Sequence, residues 1–349
     1  MGSPLPGAVG DGDSAGFFSR GSLHDAHDKR HQLVMGRAQP LCAKALLGLG
    51  QGWRTSCGVA AGGAGGVRST STVDEGDQMR VDSGGVGIEY DVSGEGQPIV
   101  LIHGFPDTGR LWRHQVPALA EAGFRVIVPD LRGYGRSDKP DAVEAYKIAA
   151  LAGDVLAVMS DAGVPRAHVV GHDWGAGLAW ALAALASDRV DHLAVLSVGH
   201  PTTFRAGDGF EQHEKSWYML LFQFPGVAEE WLSGNGWANF RAWSRHPDAD
   251  AVIAELESSG ALTPGLNYYR ANIPPKAWLS PGRALPPIEI PAMGIWSSGD
   301  VALTERQMTD SARNVTGPWR YERLDGAGHW MQLEAPDEVN RLLLEFLPR

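Results

Sequence analysis

The stretch Gly171-His172-Asp173-Trp174-Gly175 constrains the fold of this chain more than any other. Before it, Ala167 to Val170 ends in a short apolar run that reads as a buried strand. After it, Leu178 to Leu185 is built largely from Ala and Leu, which are strong helix formers. Strand, sharp turn and helix are the setting in which a G-x-nucleophile-x-G turn lifts its middle side chain above a sheet. Side chains at Gly171 or Gly175 would collide with neighbouring backbone in such a turn. The middle residue here is Asp173, a carboxylate. It is ionised at neutral pH and needs no base in order to attack. It forms an ester only with an electrophilic carbon that carries a leaving group.

The rest of the chain supplies matching strands and helices. Met79 to Val81 and Val86 to Asp91 flank Ser83-Gly84-Gly85, a hairpin signal. Pro98 to Ile102, Phe124 to Val128, Leu193 to Val198, Ile288 to Trp296 and Trp319 to Leu324 read as further strands. Ile148, Leu151, Val155, Val158 and Met159 share one helical face, and Val339, Leu342, Leu343 and Phe346 mark a last amphipathic helix. Alternation of strands and helices predicts a mostly parallel sheet with helices on both faces.

Between residues 201 and 287 the strand signal disappears and aromatic residues crowd in, among them Tyr218, Trp231, Trp243, Tyr268 and Tyr269. This block reads as a helical cap inserted after the sixth strand, and it divides the core into residues 79–200 and 288–349. Such a cap would wall an apolar pocket. For any single tryptophan, a place in the cap's own core is the simpler assignment.

Residues 1–78 differ from the rest. They are rich in Gly, Ala and Ser without sustained period, which predicts a disordered leader. No acidic residue occurs from Lys29 to Val73, as in an organelle transit peptide. Asp11, Asp13, Asp25 and Asp28 argue against that, and a start placed too far upstream explains the segment equally well. His24, His27 and His31 would share a helix face, but their flanks look unfolded. The net charge of −11 argues against nucleic acid or anionic membrane as a partner. No apolar run reaches membrane-spanning length. The cysteines Cys42 and Cys57 both precede the regular part, which suits a reducing compartment. A cytoplasmic location is expected, with an organelle as the alternative if the leader is a transit peptide.

Functional groups in a parallel sheet gather at the carboxyl ends of strands. Asp173 follows one strand, Asp300 follows Trp296-Ser297-Ser298-Gly299, and His329 stands in Gly326-Ala327-Gly328-His329-Trp330 after the last. Nucleophile, acid and histidine in this order match the triad order of α/β hydrolases. Asp325 competes with Asp300 but reads more naturally as a turn residue. The His103-Gly104-Phe105-Pro106 loop should bring the Phe105 N–H alongside that of Trp174 as an oxyanion hole.

With these residues in view, the chain from about Gln78 to Pro348 resembles an epoxide hydrolase of the α/β-hydrolase fold, of the soluble type. The resemblance rests on His103-Gly104-Phe105-Pro106, Trp112-Arg113-His114-Gln115, the Asp173 turn, Gly328-His329-Trp330, and two cap motifs around Tyr218 and Tyr269. It implies that Tyr218 and Tyr269 bind the epoxide oxygen. It also implies that His103, Trp174, Tyr218 and Tyr269 contact a small apolar epoxide, and that Asp173, Asp300 and His329 carry the reaction with water. No cofactor and no metal is expected, and a homodimer stays open. Phe224 replaces an acidic residue common in the first cap motif. Tyr268 stands where the family often has Trp, so which of Tyr268 and Tyr269 faces the pocket is left to the structure. A haloalkane or haloacid dehalogenase using the same Asp is the alternative activity, and a non-catalytic binding protein on this fold is the alternative of another class.

Overall fold

The computed structural model describes residues 77–206, 209–279 and 284–349. The leader through residue 76, with Cys42, Cys57 and the three early histidines, lies outside the described residues. Asp77 and Gln78, expected to belong to it, instead open the first strand, where they pair with Val92 and Asp91.

The described strands form one sheet: β1 (Asp77–Asp82), β2 (Gly87–Ser93), β3 (Gln97–Ile102), β4 (Phe124–Pro129), β5 (Ala167–His172), β6 (Val190–Leu196), β7 (Ala292–Ser297) and β8 (Trp319–Leu324). Their spatial order is β1-β2-β4-β3-β5-β6-β7-β8. The β1–β2 and β2–β4 pairs are antiparallel, and every pair from β4 through β8 is parallel. The expected strand Ile288 to Trp296 is shorter than its apolar pattern. Pro291 has no N–H to give a ladder, so Ile288 makes only an isolated bridge to Val315 and the strand proper starts at Ala292.

The helices of the core are α1 (Gln115–Glu121), α2 (Ile148–Asp161) and α3 (Trp174–Leu185). The cap follows with α4 (Pro201–Ala206), α5 (Gly209–Lys215), α6 (Trp217–Leu221), α7 (Val227–Ser244), α8 (Ala249–Ser259) and α9 (Leu262–Asn272). After β7 come α10 (Glu305–Thr309), α11 (Met331–Glu334) and α12 (Pro336–Phe346).

Strand side chains alternate between the two sides of a sheet, so each strand feeds two cores. Val100, Ile102, Val169 and Val195 pack with α2, α3 and the cap. Ile99, Leu101, Val170 and Ala194 pack with Leu119 of α1 and with Val339, Leu342 and Leu343 of α12. Burial on both faces explains why β5 and β7 carry no exposed position. The cap shares the first of these cores through Tyr218, Phe222 and Phe240, which ties it firmly to the sheet.

Buried polar contacts bind cap to core as well. The Tyr268 hydroxyl donates to the Arg132 carbonyl at 2.7 Å, and Arg132 is itself held by Asp154 through two bonds of 2.6 Å. Within the cap, α7 breaks at Gly234–Trp237, where Asn235, Gly236 and Trp237 take φ of 52°, 64° and 66°. Asn239 mends the break by donating to the Trp231 carbonyl at 2.9 Å. The halves thus present Trp231 and Trp243 separately to the space below.

Candidate active site

The β5–α3 turn holds Asp173 at φ 52° and ψ −120°, a conformation costly for a residue with a side chain. Its neighbours make this turn possible by having none. A Cβ on Gly171 would lie 2.2 Å from the Gly175 carbonyl oxygen, and one on Gly175 would lie 2.1 Å from that of Ile102. A Cβ on Gly104 would sit 2.5 Å from Asp173 Oδ1, so the loop after β3 closes on the carboxylate only because Gly104 is bare. That approach lets the Phe105 N–H donate to Asp173 Oδ1 at 2.8 Å, and the Trp174 N–H donates to the same carboxylate.

The other two expected triad members stand at neighbouring strand ends. His329 Nδ1 lies 3.0 Å from Asp300 Oδ2, and Nε2 lies 3.8 Å from Asp173 Oδ2. Asp300 Oδ1 accepts the N–H groups of Ala302 at 2.8 Å and Leu303 at 2.9 Å. Asp325, the competitor, is exposed and pairs with Arg323.

Burial and charge set the protonation states. Burial pushes the Asp173 carboxyl up to about 6, against the pull of His329 and the Trp174 and Phe105 N–H groups. Burial pushes the His329 imidazole down, but Asp300, Asp173 and Asp107 more than offset it and raise it to about 9. Burial also opposes ionisation of Asp300, yet His329 and the two amides hold its carboxyl below the usual range. The Tyr218 and Tyr269 hydroxyls are pushed well above the ordinary phenol value, first by burial and then by Asp173. Both therefore stay protonated and able to donate.

Asp173, His329, Tyr218 and Tyr269 open onto one cavity of about 790 Å³ beneath the cap. Phe105, Trp217, Trp231 and Trp243 form its aromatic wall. The Tyr218 and Tyr269 rings stand 6.0 Å apart, nearly perpendicular. Tyr268 points elsewhere: its hydroxyl is used on Arg132 and its ring packs on Tyr134 and Tyr146. Trp174 brings its N–H to Asp173, while its indole packs edge-on against Tyr268 and Tyr269.

His103 needs correction as a substrate contact. It is fully buried, its Nδ1 donates to the Gly104 carbonyl at 3.0 Å, and its Nε2 accepts the Leu131 N–H at 2.9 Å. Both ring nitrogens are spent on backbone, so His103 shapes the loop that carries Phe105.

Several contributors to the site carry no sequence signal of their own. Asp107 is buried and binds His246 of the cap at 3.1 Å and the Trp330 indole N–H at 2.9 Å. His172 Nε2 donates to the His329 carbonyl at 2.9 Å, and Ser197 Oγ donates to the same oxygen at 3.1 Å. Ser297 Oγ donates to the Gly328 carbonyl at 2.6 Å. These bonds fix the loop that carries His329, and each joins residues remote in sequence. Among the described residues, no group of three or more His, Cys, Asp or Glu is arranged to hold a metal ion. No helix among them is long and apolar enough to cross a membrane.

Comparison with known proteins agrees with this architecture. A family model described as alpha/beta hydrolase fold matches residues 97–336. Epoxide hydrolase A of Mycobacterium tuberculosis is 37% identical over 314 residues, covering 76% of this chain and 96% of that protein. Epoxide hydrolase 3 of Xenopus tropicalis is 32% identical over 292 residues, covering 77% of each. The crystal structure of epoxide hydrolase A from Mycobacterium thermoresistibile superposes with a TM-score of 0.67 at 33% identity, covering 78% of this chain and 98% of that one. The chain therefore belongs to the epoxide hydrolases of the α/β-hydrolase fold.

Proposed function

We propose that this protein hydrolyses an apolar epoxide to a vicinal diol through a covalent ester on Asp173. One observation carries the reading. A buried carboxylate has one oxygen held by the Phe105 N–H, and it shares an aromatic cavity with two protonated phenols.

Oδ2 is the attacking oxygen, since Oδ1 is engaged by Phe105. As Oδ2 bonds to an epoxide carbon, the carbon–oxygen bond breaks and the ring oxygen becomes an alkoxide. Tyr218 and Tyr269 donate hydrogen bonds to that oxygen, and one phenol proton passes to it. The ester is neutral, so the Asp173 charge that helped keep His329 protonated is gone. His329 then holds its proton less tightly and returns it through water to the tyrosinate left behind, and the freed imidazole can take a proton from the attacking water. Asp300 keeps the ring oriented through Nδ1. Hydroxide attacks the ester carbonyl, and the Phe105 and Trp174 N–H groups hold the oxyanion at Oδ1. Collapse restores the carboxylate and releases the diol.

Two phenols suit a leaving oxygen that must be protonated. A departing halide needs no proton, which disfavours the dehalogenase alternative.

A single turnover with excess enzyme in 18-O water tests the mechanism. The first diol should be unlabelled, and the peptide holding Asp173 should carry the label. Labelled diol in the first turnover with no label on Asp173 would instead mean direct attack by water.

A further inference from the structure

The orienting carboxylate Asp300 sits in the core, but a helix of the cap grips the loop that carries it. Lys215 of α5 donates from Nζ to the Asp300 carbonyl at 2.7 Å. Gln212, one turn earlier, is 3% exposed and spends its whole amide on the same loop and on Ser216, between α5 and α6. Its Nε2 donates to the Ala302 carbonyl at 2.9 Å and to Ser216 Oγ at 2.8 Å. Its Oε1 accepts the Thr304 N–H at 2.9 Å and the Thr304 hydroxyl at 3.1 Å.

The gripped loop is the one that shapes the Asp300 side chain. The Ala302 and Leu303 N–H groups bind Asp300 Oδ1, which leaves Oδ2 for His329. The peptide carbonyls at Asp300 and Ala302 are held from the cap, and the amides that aim the carboxylate lie between them and Thr304. Displacing α5 would let this loop turn and would shift Oδ2 away from His329 Nδ1.

We propose that Gln212 and Lys215 are positioning residues for the base: the cap sets the Asp300–His329 geometry through four hydrogen bonds to residues 300–304. This assignment rests on the proposed two-step mechanism and adds a division of labour to it. Asp173 and Trp174 belong to the core turn after β5, and Phe105 belongs to the core loop after β3. Tyr218 on α6 is braced by Trp243, its ring 4.7 Å away, while Gln212 also donates to Ser216 at the start of α6. Loss of the Lys215 bond to the Asp300 carbonyl should therefore slow hydrolysis of the ester and spare its formation.

The test uses the full chain, with the ester followed by mass spectrometry of acid-quenched samples under single-turnover conditions with styrene oxide. Lys215→Met should slow ester hydrolysis by about tenfold, the scale expected when a base is misplaced by a fraction of an ångström. Formation of the ester should change by less than about twofold. The modified protein should then accumulate in the steady state, and Lys215→Arg, which can still donate to a carbonyl, should restore hydrolysis. Gln212→Glu keeps the acceptor for Thr304 but loses the donors to Ala302 and to Ser216 at the start of α6, so it should slow hydrolysis more than it slows ester formation. Equal slowing of both steps, or no change in either, would overturn the assignment. Absence of any ester in the unaltered protein would overturn the two-step mechanism itself, and the assignment with it.

Discussion

His329 Nε2 stands 3.8 Å from Asp173 Oδ2, beyond hydrogen-bond reach, while Nδ1 of the same ring is 3.0 Å from Asp300 Oδ2. The imidazole is therefore held from its far edge and not by the residue it faces. It stays in place when Asp173 becomes an ester. Replacing it should separate the two steps. His329→Gln should form the ester and hydrolyse it roughly 10²–10⁴-fold more slowly, the usual contribution of a general base. The protein mass should rise by one substrate in that variant. Asp173→Ala should show neither adduct nor turnover, and an adduct in it would remove Asp173 from its role.

The pH dependence of ester formation follows from the carboxyl. Burial raises Asp173 to about 6, so the attacking carboxylate is lost as pH falls through that value. Ester formation, measured by quenched flow, should level off above about pH 7 and fall tenfold per pH unit well below 6. A rate flat down to pH 4.5 would mean that the carboxyl titrates at its ordinary value.

Tyr218 and Tyr269 should share the leaving oxygen. Tyr218→Phe and Tyr269→Phe should each cost roughly 2–3 kcal/mol in the barrier to ester formation, the cost of one hydrogen bond to developing charge. Tyr268→Phe should behave differently. It leaves the buried Arg132 carbonyl without its donor and should lower stability by about 1–3 kcal/mol, with ester formation nearly unchanged. A larger rate loss in Tyr268→Phe than in Tyr269→Phe would reverse these roles.

Two glycines at the start of α3 should respond with opposite sign. Gly175→Ala places a methyl 2.1 Å from the Ile102 carbonyl oxygen and should destabilise by roughly 1–3 kcal/mol while disturbing the Asp173 turn. Gly177→Ala meets nothing within 4 Å and should stabilise by about 0.5–1 kcal/mol through helix propensity. Melting temperatures of the two variants would check both signs.

Much of the core was legible because its signals are local. A buried strand followed by Gly171-His172-Asp173-Trp174-Gly175 and an Ala-rich helix has one economical conformation, and it lifts Asp173 above the strand ends. Asp300 and His329 were readable for a related reason, since each follows a strand of the parallel part of the sheet, β7 and β8 respectively. Strand limits were less legible near proline. The apolar pattern runs on through Pro291, but the missing N–H delays β7 to Ala292.

Sequence by itself determined which candidate groups this chain offers: a carboxylate at a glycine-bounded turn, a histidine and a second carboxylate at later strand ends, and phenols in an aromatic insertion. These depend on residue type and short-range spacing, which a linear chain displays. Tertiary structure decided which of several similar residues face the cavity. Tyr269 faces the cavity and adjacent Tyr268 does not, because successive residues on a helix point about 100° apart and only packing chooses the direction. His103 turns inward because the Gly104 carbonyl and the Leu131 N–H lie within reach of its two nitrogens. Asp107 with His246 and Trp330, and Gln212 with Ala302 and Thr304, meet across separations of 90 to 223 residues. Such bonds leave no mark in local sequence, because each exists only once folding has brought distant loops, or the cap, together over the strand ends.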